Sequence, residues 1–460
     1  MMNINRRLWF TALLVILSLV GFTASTTLGA NIEKDMYAQQ DDERQLLAEV
    51  EFRKSIGFRS DIDYVRQVHA QPDAVTFEAM NATFTPAEAE ELRIRLALEQ
   101  DGETLQQYFR DDSDVRDAFG GIYLDHDTGG ELVLQIVRTH SLTDQIHSLI
   151  PPLRHVDRLR IDYVEWSNLH LEQQFEAITD RMMEFPDIQA VSIDREENRI
   201  AVMIAPQNAS TATNELLDKE TLRLDLATLL ADPAIVVTEG MIRIDTEGTG
   251  TEGAGTEEAM QIQSLPVMAG KGWRFGSDSG HICTLGFEVI DRRRPAILTA
   301  GHCVETAGWG WWTYNFDTHF GEYSGRYQNG SYDNSGIAID VGIHYLNDAG
   351  SATDDIYQGG NPTLDVIGAV GDYSYTNGYI RCFHGISSGT LCGPITEGTI
   401  DAQDSKTGIY YRDMFWIDPV GLGGDSGAPM YRTQAGNTAE AAGIVMANVL
   451  DDYGNPKDLA

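Results

Sequence analysis

The hydrophobic pattern changes character three times along this chain. A first apolar block, Leu8 to about Phe22, follows Arg6-Arg7 and precedes small residues at Thr23-Ala24-Ser25 and Gly29-Ala30. This is the layout of a secretory signal peptide over residues 1–29, and the block is shorter than the ~20 apolar residues a spanning helix needs. From 30 to 245 the pattern mixes helical and strand periods. Thr85-Pro86-Ala87-Glu88 carries a capping threonine, a proline for the first turn and a glutamate three residues past the cap, which predicts a helix to about Phe109. Gly121–Leu124 and Glu131–Val137 are strand-like on either side of Asp127-Thr128-Gly129-Gly130, a hairpin signature. A helical stretch from Leu171 to Phe185 and two short strands over Ile188–Ile204, around Asp194–Asn198, repeat the arrangement, so this region reads as two related αβ units.

Residues 246–265 are rich in Gly, Thr and Glu with almost nothing apolar, a composition too poor to repay the entropy of ordering. They predict a flexible linker open to proteolysis. From 266 to 460 Cys, Gly, Trp and Tyr rise, helical periodicity fades, and short apolar runs are punctuated by Gly, Asn and Asp. That is an all-β reading.

Composition narrows the partners. The 460 residues are 42% hydrophobic, ample for two or three globular cores, and carry a formal charge of −37. A field of that sign repels nucleic acid and anionic lipid headgroups, so neither is expected as a partner, nor a membrane once the signal is removed. The four cysteines, Cys283, Cys303, Cys382 and Cys392, all lie beyond residue 280. In an exported chain an even number confined to one region implies two disulfides; spacing favours Cys283 with Cys303 and Cys382 with Cys392 among the three possible pairings. A zinc site is not expected, because no CxxC pair is present.

Chemistry concentrates in the C-terminal part. Leu298-Thr299-Ala300-Gly301-His302-Cys303 and Gly423-Gly424-Asp425-Ser426-Gly427-Ala428-Pro429 supply an imidazole and a serine flanked by glycines. A serine hydroxyl needs such a base to act as a nucleophile at neutral pH. The glycines let the backbone turn sharply and aim the amides of Gly424 and Ser426 at one point, the geometry of an oxyanion hole. Asp340, embedded in the apolar run Gly336–Ile343, is favoured as the carboxylate that orients His302; Asp333 is the competitor, in a stretch that reads as a solvated turn. His281, His319, His344 and His384 lack comparable context.

These motifs resemble the secreted bacterial serine proteases of the chymotrypsin fold, close to alpha-lytic protease and the streptogrisins. The likeness covers roughly residues 266–450, including Cys382–Gly393 as a disulfide loop. It extends upstream, where Phe119–Asp125 and Asp194–Val202 resemble the pro-regions of that family. It implies a double six-stranded β-barrel protease domain preceded by an α+β pro-region that acts as folding chaperone and inhibitor and is cut away by the enzyme itself. It also implies a Ser426, His302, Asp340 triad working through an acyl-enzyme on protein or peptide substrates, with no metal or other cofactor, in a monomer secreted to the periplasm or medium. Asp425 is buried and cation-paired in that family, and Arg381 is the expected partner.

The chain departs from the family in two places. The family usually continues through a further strand and a closing helix, where this chain has Ala428–Ala460 after the nucleophile. The pocket wall that normally reads Ser-Gly-Gly is Ile444-Val445-Met446-Ala447-Asn448, and Val420 stands about six residues before Ser426, where an aspartate would select Arg or Lys. Val420, Met446 and Ala447 therefore predict a narrow apolar pocket and cleavage after small or medium apolar residues. A glutamate-specific or trypsin-like peptidase of the same fold, and a catalytically inactive relative kept as a binding module, are the competing readings.

Overall fold

The helix announced by Thr85 runs from Pro86 to Asp111. Thr85 Oγ1 accepts from the Glu88 amide at 3.3 Å while the Glu88 carboxylate accepts from the Thr85 amide at 3.0 Å, so two otherwise orphaned donors are satisfied reciprocally. Leu92, Leu98, Leu105 and Phe109 form its buried face. In this computed structural model the described residues are 43–141, 145–185, 187–205, 228, 230–239, 243–245, 267–275, 282–291, 293–304, 311–313, 319–326, 337–338, 340–346, 352–358, 363–403, 410–418, 421–446 and 448–450. The expected signal peptide and linker, together with Asp333, Val420 and Ala447, lie outside them.

Strands Phe119–Asp125 and Glu131–Val137 pair antiparallel, and Leu159–Val164 joins the second of them parallel. Between the first two, the Asp125 carboxylate accepts from the amides of Asp127 and Thr128, and Gly129 and Gly130 take positive φ angles of 99° and 81°. The same plan follows: helix Asn168–Thr179, capped by Ser167, then antiparallel strands Ile188–Asp194 and Arg199–Ile204, then Ile235–Glu239 parallel to the latter. The second helix ends at Thr179 rather than continuing to Phe185, and the remaining apolar residues enter a 3-10 turn at Met182–Glu184.

The described chain is mostly β-sheet with few helices. Gly272–Phe275, Ile282–Thr284, Glu288–Asp291, Arg294–Ala300, Trp311–Thr313, His319–Arg326 and Val341–Leu346 make a seven-stranded sheet. The remaining C-terminal strands, apart from Asn448–Leu450, belong to a larger sheet that does not stop at the linker. Gly389–Gln403 pairs antiparallel with Ile188–Asp194, placing Ile400 opposite Ser192 and Ala402 opposite Ala190, so the N-terminal strands extend the C-terminal sheet.

Core packing follows the same continuity. Phe52, Phe84 and Leu92 share one buried cluster with Ile380, Cys382, Cys392 and Tyr431. The described residues from Ala48 onward accordingly form one compact unit. Among the described residues no helix is long and apolar enough to cross a membrane.

Candidate active site

His302 opens a short 3-10 turn at the end of strand Arg294–Ala300, and Asp340 immediately precedes strand Val341–Leu346. These strands pair antiparallel with Ala300 opposite Val341, so the register alone brings the next residues together. Asp340 Oδ2 lies 2.6 Å from His302 Nδ1, and Asp340 Oδ1 accepts from the His302 amide at 2.7 Å. The two side chains are 9% and 1% exposed for His302 and Asp340. A carboxylate accepts only, so a proton sits on Nδ1, and in the neutral ring the lone pair is then on Nε2. Both carboxylate oxygens are engaged, which fixes the imidazole in position and tautomer together.

Cys303 is bonded to Cys283 and Cys382 to Cys392, the two local pairings. The first bridge ties the histidine turn to strand Ile282–Thr284 and touches the serine loop as well. Cys303 Sγ lies 3.7 Å from His302 Nε2 and 3.8 Å from the Ser426 carbonyl. His302 and Ser426 thus flank one sulfur. Among the described residues no hydrogen bond joins Ser426 Oγ to His302 Nε2.

The serine loop is held on all sides. Thr284 donates its amide to Ser426 O at 2.8 Å, and Ala428 donates to Asp425 O at 2.8 Å. Gly427 has φ +87°, and a Cβ there would meet Thr299 Oγ1 at 2.2 Å and Thr284 O at 2.3 Å, so the loop presses directly onto the neighbouring strands. Among the described residues the amides of Gly424 and Ser426 have no protein acceptor. Two donors without a protein acceptor, on the residues either side of Asp425, are an arrangement that suits a developing oxyanion.

Arg381 is not the partner of Asp425. Its guanidinium is fully buried and lies 2.9 Å from Glu99 Oε2 on the Pro86–Asp111 helix. Asp425 is held by neutral donors: the amides of Ser387 at 2.9 Å, Ser388 at 3.1 Å and Leu422 at 2.8 Å, and the Ser388 hydroxyl. Burial pushes its carboxyl above the ordinary range, against the pull of the Ser388 hydroxyl and those amides. On strand Ile380–Gly385 it is Gly385, four residues past Arg381, whose Cβ position faces the Asp425 carboxylate, so Arg381 stands about two strand repeats away from it and meets Glu99 instead.

His344 and His384 are buried and structural: His344 packs edge-on against Trp273 and burial pushes it down to about 3, while His384 meets Thr390 Oγ1 at 2.8 Å and is pushed down to about 4. Met446 packs against Ala190, Ile400, Ala402 and Tyr411. It also lines a cavity of about 1620 Å³ that reaches Asp340, Val341, Phe383 and Val445. The sequence reading missed Thr284, Ser387 and Ser388, whose only signal was a polar pair inside the Cys382–Cys392 loop and a threonine after a cysteine.

No family model matches this chain, and no curated protein does. Among solved structures it is similar to Thermobifida fusca Protease A, at 21% identity and TM-score 0.31 over 42% of this chain and 89% of that one. An alpha-lytic protease homologue, N4, gives 22% and 0.30 over 40% and 85%. Cellulomonas bogoriensis chymotrypsin gives 21% and 0.30 over 40% and 84%.

Proposed function

We propose that this chain is the precursor of an exported serine endopeptidase with the double β-barrel of the chymotrypsin-like proteases. The observation that carries the reading is the His302–Asp340 pair, 2.6 Å apart, next to a serine loop that keeps two amides unspent. In the proposed reaction Ser426 Oγ attacks the scissile carbonyl carbon and passes its proton to His302 Nε2. Negative charge gathers on the carbonyl oxygen between the Gly424 and Ser426 amides, and Asp340 stabilises the imidazolium. Collapse breaks the C–N bond, and the leaving amine takes the proton from His302. Water, deprotonated by the same imidazole, then releases the acyl group and restores Ser426.

In this reading residues 30–245 are the pro-region. Its strand Arg243–Asp245 pairs with Asn448–Leu450, just past Met446, which supports a role as an occupant that blocks the site before processing. Two disulfides fit an oxidising compartment. The pocket is proposed to take small or medium apolar side chains, and peptide-library profiling that returned Arg, Lys or Glu at the cleaved position would overturn that part.

The missing hydrogen bond between Ser426 Oγ and His302 Nε2 favours the second reading, an inactive binding module. One experiment separates the two. The full chain secreted from a protease-free host is expected to cut itself within about Thr246–Gly272, and Ser426→Ala to abolish that cut. Identical processing of the alanine variant would refute self-cleavage.

A further inference from the structure

The Gly423–Gly424 peptide carries one of the two unspent amides, and nothing in its own sequence holds it. Gly424 has φ +101°, where side chains rarely go, and with a glycine on either side the peptide plane has two accessible orientations. One points the Gly424 N–H at the site; the other points the Gly423 carbonyl there and repels the charge that the site has to stabilise. Because N–H and C=O of a trans peptide point in opposite directions, fixing one fixes the other.

The carbonyl is fixed by a side chain from a different part of the chain. Ser387, buried in the turn between strands Ile380–Gly385 and Gly389–Gln403, donates its hydroxyl to Gly423 O at 2.7 Å. Its contact is close enough that a Cβ on Gly424 would lie 2.5 Å from Ser387 Oγ. The next peptide is fixed independently. Thr284, fully buried, donates its hydroxyl to Gly424 O at 2.8 Å and accepts from the Ile386 amide at 3.1 Å. Two hydroxyls therefore clamp the two peptide planes that flank Gly424, and each proton is accounted for. Asp425 adds no direct restraint on either carbonyl; it holds the Ser387 and Ser388 amides, and so the turn that carries the Ser387 hydroxyl.

We infer that Ser387 is a positioning residue for the oxyanion hole, acting through the Gly423 carbonyl to keep the Gly424 N–H turned toward the substrate oxygen, with Thr284 holding the adjoining peptide. The inference rests on the proposed peptidase reading. A residue of this kind affects the transition state and leaves ground-state binding alone, because only the former carries the oxyanion.

The test uses the full chain, secreted and processed, with a chromogenic peptide substrate, a peptide aldehyde whose adduct bears an oxyanion, and a reduced-amide peptide in which CH2 replaces the scissile carbonyl, so that no oxyanion is present. Ser387→Ala is expected to lower kcat about 10- to 100-fold, less than the ~10²–10³ of a deleted donor, with KM within about twofold. Aldehyde affinity should fall by the same factor and reduced-amide affinity stay level. Ser387→Thr, which restores the hydroxyl, should recover most of kcat, and Thr284→Val should give a smaller loss of the same kind. If the alanine variant yields no folded enzyme, Ser387→Cys, nearly the same size and a weaker donor, is read by the same three probes. Unchanged kcat, or equal losses for the aldehyde and the reduced amide, would overturn the inference. Ser426→Ala runs alongside: an inert Ser426→Ala with a normal Ser387→Ala sinks the clamp alone, whereas an active Ser426→Ala sinks the peptidase reading first.

Discussion

Arg381, in the C-terminal sheet, is neutralised by Glu99, on the N-terminal helix: Nη1 and Oε2 are 2.9 Å apart, with both side chains 1% exposed or less. Glu99 Oε1 also accepts from the Ile380 amide at 2.7 Å, so the carboxylate serves the side chain and backbone of the same strand. Burial pushes the Glu99 carboxyl up, opposed first by the Arg381 guanidinium. A buried charge pair contributes little net stability against an apolar substitute, but breaking one is costly because it strands the other charge.

Glu99→Gln is therefore expected to destabilise the unprocessed chain by about 3–5 kcal/mol, although it keeps an acceptor for Ile380. Denaturant unfolding in a Ser426→Ala background measures it. An apolar pair, Glu99→Leu with Arg381→Met, should recover most of the loss, and a double-mutant cycle that found the two effects simply additive would refute the coupling.

The junction between the two regions carries carboxyls that prefer to hold protons. Glu397, on Gly389–Gln403, is pushed up to about 8 chiefly by burial, with Asp194 and Glu196 adding to it and Arg195 opposing. Asp401 on the same strand is pushed up to about 6, again by burial, despite Arg412. A carboxyl raised in the folded state binds more protons there, so its contribution is present below its ordinary value of 4.5 and lost as pH rises toward 8. Melting of the Ser426→Ala chain should fall from pH 5 to about pH 8, and Glu397→Gln should flatten the upper part of that slope.

His126 sets the opposite limb. Its Nε2 meets Gly378 O at 2.7 Å and its Nδ1 meets Arg95 at 3.1 Å, so the neutral ring donates at one end and accepts at the other. Burial pushes it down to about 4. Its contribution is intact at neutral pH and is lost as pH falls from 6.5 through about 4. His126→Gln should soften the acid limb of the same melting curve and leave the alkaline limb unchanged.

Asp340→Asn should leave the fold intact but lower kcat about 10⁴-fold, because an amide that donates to His302 reverses the tautomer. Steady-state kinetics with circular dichroism on the same sample would check it; a loss below tenfold would show that Asp340 only packs.

Gly427→Ala tests the loop seat. The added methyl would sit 2.2 Å from Thr299 Oγ1 at a positive φ, so both strain and clash apply. A loss of more than ~1 kcal/mol in stability, with activity falling further, is expected from unfolding curves and kinetics together.

Several features were legible in the text of the chain because their causes are local. Thr85 and Glu88 cap a helix across three residues, Gly129 and Gly130 turn a hairpin whose flanking strands alternate, and the cysteines bond to near neighbours, 20 and 10 positions apart in the sequence. The apolar periodicity from Leu171 continues past the helix end at Thr179 into a 3-10 turn, a difference the pattern does not encode. Asp340 was singled out as a carboxylate without a partner in an apolar run, and the antiparallel register of two strands then sets it beside His302.

What the chain determined alone was therefore the kind of element, its ends and the residue types gathered in each motif, all governed by hydrogen bonds and torsions within a few residues. Partner choice across the fold was decided only by packing. Arg381 meets a carboxylate 282 positions away because the Pro86–Asp111 helix sets Glu99 against its strand, whereas Asp425 sits at the far end of that strand, against Gly385. Ser387 reaches Gly423 because a disulfide-bonded hairpin brings its turn against the serine loop. A sequence lists the donors and acceptors; burial forces each to find a partner, and the three-dimensional arrangement determines which one.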